Sequence, residues 1–255
     1  MNAPAVPGPS VPGTISEAEF SMGLKCPFRC VLPGAPGTLP ATGPRDTMII
    51  KICGFKTIPE AVAAAEAGAD MVGLNFYPPS PRCIDTETAR RICEALPPRT
   101  VKVGLFVNET IERIQETAAF CGLDAVQLYG DFPADRLPDL APLKVIRAFG
   151  VSKEDDLERL EGVTADFFLL DTAIEGMHGG TGKSFDWCLA AKARRYGRII
   201  LAGGLRPDNV GEAIRQARPD GVDVASGVES SPGVKDISLI RQFIQAVRAS
   251  VPARP

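Results

Sequence analysis

From residue 49 onward the chain keeps one beat: short apolar runs alternate with amphipathic segments about every 25 residues. No other feature restricts its fold as much. The runs predict strands over Ile49–Cys53, Met71–Phe76, Val101–Val107, Ala125–Leu128, Lys144–Ala148, Phe167–Asp171, Ile199–Ala202 and Val222–Ser226. Several are apolar on both faces, the pattern of parallel strands covered by helices. Between them, Ile111, Ile114, Ala118 and Cys121 keep helical spacing, as do Ile237, Ile240, Ile244 and Val247. Gly68 and Gly122 stand where helix C-caps belong. Eight strand–helix units in roughly 200 residues predict an α/β fold, a closed (β/α)8 barrel in a single domain over 48–250. An open doubly wound sheet is the alternative, but no G-x-G-x-x-G follows the first strand.

Residues 1–47 are dense in proline and glycine and lack such a beat. They read as a disordered leader, with Met48 an expected alternative start and 251–255 a short tail. A net charge of −3 gives no general pull toward nucleic acid or an anionic membrane. No apolar run is long enough to span a bilayer, and the amino terminus is not patterned as a secretory signal. The 7 cysteines follow no disulfide framework, which points to reduced thiols and the cytoplasm. Cys26 and Cys30 lack a second ligand pair, so no metal site is expected.

In a barrel of this kind the chemistry lies at the carboxyl ends of the strands. The first ends in Lys51-Ile52-Cys53-Gly54, with Lys51 and Cys53 on one face. Cys53 is either a small buried hydrophobe or a reactive thiol. The second runs into Pro78-Pro79-Ser80-Pro81-Arg82, a stiff loop with a guanidinium at its far end. That planar fork suits a carboxylate; the alternative is a solvated surface arginine. The fourth ends in Gln127-Leu128-Tyr129-Gly130. The sixth closes an apolar run on Asp171, where burial favours a protonated acid; the alternative is a loop N-cap. Glycine-rich stretches follow at Gly176–Lys183, at Ala202-Gly203-Gly204-Leu205 and at Asp223–Glu229. Such ends on the last strands of a barrel suit a phosphate. His178, the 1 histidine, sits in the first of these with no orienting partner, and reads as a loop residue or minor substrate contact.

Taken in order, these stretches resemble the phosphoribosylanthranilate isomerase family. The resemblance is carried by Lys51-Ile-Cys-Gly54, Ser80-Pro-Arg82, Gln127-Leu128, Leu170-Asp171, Gly179-Gly-Thr-Gly-Lys183, Leu201-Ala-Gly-Gly-Leu205, Asp223 through Glu229, Pro232-Gly233 and Lys235-Asp236. It covers about residues 48–250. It implies an Amadori rearrangement of N-(5-phosphoribosyl)anthranilate in tryptophan biosynthesis, with neither metal nor organic cofactor. The implied partner is a small phosphosugar substrate, and monomer and homodimer both stay open. By the same resemblance Asp171 is the general acid, Cys53 the general base and Arg82 the holder of the anthranilate carboxylate. Gly179, Gly180, Gly182, Gly203, Gly204, Asp223, Ser226 and Gly227 are the remaining implied substrate-binding residues.

Strand eight neighbours strand one in a closed barrel, so a buried Lys51–Asp223 pair is expected beneath the site. Its cationic end favours the Cys53 thiolate, by a modest shift because Asp223 neutralises it. The chain departs from the family pattern at Tyr129, where histidine is usual, at Cys83, where an aromatic is common, and at Arg147, where lysine is frequent. Cys83 is an expected point of oxidation. Two rival readings are a decarboxylating barrel synthase and a phosphate-binding barrel without turnover.

Overall fold

A computed structural model describes residues 48–171 and 187–250 of the chain. The expected leader 1–47, the tail 251–255, Cys26, Cys30 and the Gly176–Lys183 stretch with His178, Gly179, Gly180 and Gly182 lie outside the described residues.

Eight parallel strands close into a barrel in sequence order. They are β1 (Ile49–Cys53), β2 (Met71–Asn75), β3 (Val101–Val107), β4 (Ala125–Tyr129), β5 (Lys144–Gly150), β6 (Phe167–Asp171), β7 (Ile199–Ala202) and β8 (Gly221–Val224). Closure pairs β8 with β1, opposing Lys51 to Asp223. This is the predicted fold, with one strand misplaced. Strand eight stops at Val224, two residues before the expected end. Ala225 leaves the extended region (φ −123°, ψ −77°) and Ser226–Val228 winds into a 3-10 turn. A hairpin of β9 (Glu229–Ser231) and β10 (Val234–Lys235) follows.

Strand alternation sorts side chains into two cores. Ile49, Met71, Val103, Ala125, Ile146, Phe167, Leu169 and Ile200 fill the barrel interior. Ile50, Ile52, Val72, Leu74, Val126, Leu128, Phe168 and Leu201 face outward against the helices. Those helices are α1 (Ile58–Ala67), α2 (Thr86–Ala95), α3 (Ile111–Cys121), α4 (Cys188–Ala193), α5 (Val210–Ala217) and α6 (Ile237–Ser250). All four residues expected on the apolar stripe of α3 are buried. Local chemistry sets the ends. Asp85 and Thr110 accept from the N–H groups of Thr88 and Arg113 at 2.7 and 3.2 Å, caps worth about 1 kcal/mol each. Gly68 and Gly122 end α1 and α3 in the left-handed conformation, as expected.

Two connections differ from the expected strand–helix unit. The chain between β4 and β5 forms a 3-10 segment, Ala134–Leu140, and that between β5 and β6 another, Glu154–Leu160. Leu137 and Leu140 are buried in the first, Leu157 and Leu160 in the second. A spacing of three suits the tighter helix, and Pro138 removes a donor that a regular α-helix would use. The outer layer over β5 is therefore thin.

One repeated device closes the bottom of the barrel. Asp70, Asp124, Asp166 and Asp220 each precede an even strand and accept a backbone N–H at the start of the odd strand beside it. The donors are Ile50, Lys102, Val145 and Ile199, at 2.8, 2.9, 2.9 and 2.9 Å. Each aspartate so satisfies an amide that the barrel rim leaves open.

Candidate active site

The carboxyl ends of β1, β2, β4, β6 and β8 bring most of the candidates to one mouth. Lys51 and Cys53 share the inner face of β1, as alternation requires, while Ile50 and Ile52 pack outside. Lys51 is fully buried, and its Nζ donates to Asp223 Oδ1 at 3.0 Å. The expected pair is therefore present. Asp223, also expected to touch substrate, spends this oxygen on Lys51 and is itself buried. The Lys51 charge also acts on Cys53, favouring its thiolate. Burial pulls Lys51 down, yet Asp223 and Cys53 together hold it above its ordinary value.

The Cys53 thiol does not follow the expected shift. Burial pushes it above the ordinary thiol value, and this outweighs the Lys51 charge beside it. Only 5 % of the residue is exposed. The resting group is a neutral thiol. Its space comes from Gly73 across the β1–β2 ladder: a Cβ there would stand 2.7 Å from the sulfur.

Arg82 is not a free surface arginine. Its Nε and Nη2 donate to the two carboxylate oxygens of Glu229, each at 2.7 Å. The fork expected to hold a carboxylate ligand is thus engaged along one edge. Nη1 has no hydrogen bond among the described residues and leaves the end-on edge for a ligand. The Arg82 stem lies against Gly54, whose φ of +88° turns the chain away at the end of β1; a Cβ there would meet Cδ at 2.4 Å. The loop is pinned by Asn75, which accepts from Tyr77 N at 2.8 Å and donates to Ser80 Oγ at 3.2 Å.

Glu229 and Lys235 carry the rest of this support and were not singled out from sequence. Lys235 Nζ, fully buried, donates to Glu229 Oε1 at 2.8 Å and to Ala225 O at 3.0 Å. Burial opposes the Glu229 charge, but Arg82 and Lys235 together hold its carboxyl below the usual range. Burial also draws Lys235 below its ordinary value. The β9–β10 hairpin presents both residues and seats Gly233 against Pro81. The available signal was an acid and a base six residues apart, flanking a Pro-Gly turn.

Asp171 ends β6 at the mouth, half-buried. Tyr129 Oη donates to its Oδ2 at 3.3 Å. The reach is possible because β5 presents small residues, Ala148 and Gly150, between the two strands. Burial first, then the charges of Asp171, Asp223 and Cys53, drive the phenol well above its ordinary value. The inner faces of β1, β4, β6 and β8 carry Cys53, Tyr129, Asp171 and Asp223, and the three other groups all act on the phenol. Gln127 is fully buried on the inner face below, its amide without a hydrogen-bond partner among the described residues.

Of the glycines expected to bind phosphate, Gly203, Gly204 and Gly227 lie just beyond β7 and β8. Gly203 and Gly204 both take positive φ, +85° and +63°. Gly227 packs so closely that a Cβ would stand 1.9 Å from Leu205 O. Ser226 is exposed beside it. Arg147, named from sequence only as a departure from the family pattern, points outward from β5 with Val145 and Phe149. One other expectation changes. Cys83 is half-buried and burial raises its thiol, the opposite of a reactive thiolate. Among the described residues no group of three or more His, Cys, Asp and Glu side chains is placed to hold a metal, and no helix is long and apolar enough to cross a membrane.

A family model described as N-(5'-phosphoribosyl)anthranilate (PRA) isomerase matches residues 50–246. An N-(5'-phosphoribosyl)anthranilate isomerase of Myxococcus xanthus is 46% identical over 206 residues, covering 78% of this chain and 96% of that protein. Among solved structures, the phosphoribosyl anthranilate isomerase of Thermotoga maritima is similar with a TM-score of 0.73 at 44% identity, over 80% of this chain and 100% of that one. A phosphoribosyl anthranilate isomerase solved with reduced 1-(o-carboxyphenylamino)-1-deoxyribulose 5-phosphate has a TM-score of 0.71 at 41% identity, with the same coverage.

Proposed function

The chain belongs to the N-(5'-phosphoribosyl)anthranilate isomerase family, and from that premise we propose how its own residues carry the reaction. It is an isomerase of tryptophan biosynthesis that converts N-(5-phosphoribosyl)anthranilate to 1-(2-carboxyphenylamino)-1-deoxyribulose 5-phosphate. Asp171 gives a proton to the furanose ring oxygen; the ring C–O bond breaks and a Schiff base forms. Cys53 takes the proton from sugar carbon 2 to give an enolamine. Tautomerisation then yields the ketone. The observation that carries this reading is the convergence of Cys53, Asp171 and Tyr129 on one mouth, with Arg82 over Gly54.

Arg82 holds the anthranilate carboxylate by its end-on edge while Glu229 fixes the other edge. The backbone N–H groups of Gly203, Gly204, Ser226 and Gly227 hold the phosphate, joined by Gly179, Gly180 and Gly182. Tethered at both anionic ends, the sugar lies between acid and base. Tyr129 keeps its proton and orients the Asp171 carboxyl. Asp223 acts through Lys51, keeping the ammonium under the thiol. Because burial raises the Cys53 thiol, it must first lose its proton to solvent; the thiolate so formed is opposed by burial and favoured by the Lys51 charge, and it then accepts the carbon 2 proton. The cytoplasm is the compartment this reading assigns, in keeping with five free cysteines among the described residues. A dimeric Thermotoga maritima relative also exists as monomers, and the chain works as one or the other.

The test is the loss of anthranilate-type fluorescence on adding phosphoribosylanthranilate to purified protein. Turnover abolished by Cys53→Ser and by Asp171→Asn, with folding retained, is the expected result. Wild-type turnover in either variant overturns the residue roles.

A further inference from the structure

We propose that the outer face of β5 carries a second ligand site, for a small aromatic carboxylate, on the opposite side of the sheet from Cys53 and Asp171. β5 turns Ile146 and Ala148 into the barrel and Val145, Arg147 and Phe149 outward. Where a full helix would cover this face, only the 3-10 segments Ala134–Leu140 and Glu154–Leu160 flank it. They leave a cavity of about 290 Å³ lined by Asp131, Phe132, Arg147, Phe149, Arg159 and Val163, among others.

Arg147 is the unusual member. It is 95 % buried, at 5 % exposure. Its guanidinium lies 5.1 Å from the ring centre of Phe132 and 5.5 Å from that of Phe149, and both rings line the cavity. Nη2 donates to Gly130 O at 3.0 Å, but Nε and Nη1 are buried without a hydrogen-bond partner among the described residues. Burial of a cation with unpaired N–H groups is unfavourable, and native proteins answer it with an anion or a hydrogen bond. Asp131 lies close enough to favour the charge. Arg159 stands at the rim with its guanidinium 5.4 Å from the Phe149 ring centre.

The chemistry of the lining selects the ligand. Two arginines against one aspartate leave a single positive charge, which matches a monoanionic carboxylate better than a dianionic phosphate. Two phenyl rings and Val163 supply the apolar walls for a ring beside that carboxylate. A stacked arginine that merely fills the thin outer layer is the competing account, and it predicts no ligand.

The experiment titrates the full chain with 4-fluorobenzoate, read by fluorine NMR at constant ionic strength, with inorganic phosphate in parallel. An Arg82→Gln background removes the carboxylate holder at the mouth. Saturable fluorobenzoate binding is expected, weakened about tenfold by Arg147→Lys, which keeps the charge but not the fork. Arg159→Gln weakens it about threefold and Asp131→Asn tightens it about threefold, as rim charges do. Both rim residues are exposed, so these variants keep the test valid should Arg147→Lys fail to fold. No saturable binding, binding indifferent to both rim charges, or displacement of bound fluorobenzoate by an equimolar amount of phosphate overturns the proposal.

Discussion

Replacing Glu229 by glutamine tests the support beneath the carboxylate holder. The wild-type side chain accepts two hydrogen bonds of 2.7 Å from Arg82 and one of 2.8 Å from Lys235. Its own side chain is 4 % exposed, that of Lys235 0 % and that of Arg82 22 %. Glutamine offers Lys235 and Arg82 one neutral acceptor oxygen where the carboxylate offered two charged ones, and Lys235 otherwise keeps Ala225 O. Breaking a buried pair on one side costs about 3–5 kcal/mol. Arg82 can rehydrate and adds no more than about 1 kcal/mol. Lys235, already drawn down by burial, can shed its proton, so the lower end of the range applies. We expect about 3 kcal/mol less stability in urea unfolding at pH 7. We expect KM to rise about tenfold, because a loosened Arg82 loses roughly one charge-assisted hydrogen bond's worth of binding, with a smaller fall in kcat.

The pH dependence follows from the direction of the shift. Glu229 is held below its ordinary value of 4.5, so its contribution is present above that value and is lost as pH falls through the folded-state value. The gap between wild type and Glu229→Gln should therefore narrow below about pH 4.5. A stability loss under about 1 kcal/mol with unchanged KM would refute the reasoning.

Three further outcomes are expected. Tyr129→Phe removes the 3.3 Å bond to Asp171 and should lower kcat about tenfold with KM nearly unchanged; an unaltered kcat denies the phenol any positioning role. The double change Lys51→Met with Asp223→Leu replaces a buried ion pair by apolar volume and should fold. It removes the charge that most lowers the Cys53 thiol, so the pH midpoint of iodoacetamide alkylation should move further up; a folded variant with an unchanged midpoint leaves Lys51 without electrostatic influence. Asp166→Ala strips Val145 N of its acceptor at 2.9 Å and should cost about 1–2 kcal/mol in thermal unfolding, against near zero for the exposed control Asp155→Ala.

Much of the site was legible because strand alternation is local. Lys51 and Cys53 had to share a face, and the closing of β8 onto β1 then had to bring Asp223 opposite Lys51. The two leucine pairs at a spacing of three, and the aspartate before each even strand, were equally present in the sequence but carry weaker local signals. The Arg82–Glu229 fork was not legible. Its partners are 147 residues apart and meet only because the β9–β10 hairpin folds back over the loop after β2. Nor was the outward aim of Arg147, since an arginine within a strand reads alike on either face until the register is known.

The alternating beat determined eight strands with helical or 3-10 segments between them, since periodicity and turn residues act over a few neighbours. Only the tertiary structure decided how the charges are spent. A thiol beside an ammonium reads as activated until burial is known, and an arginine reads as free until its carboxylate arrives from the far end of the chain. Desolvation and long-range pairing depend on everything packed around a group, and no local pattern encodes that sum.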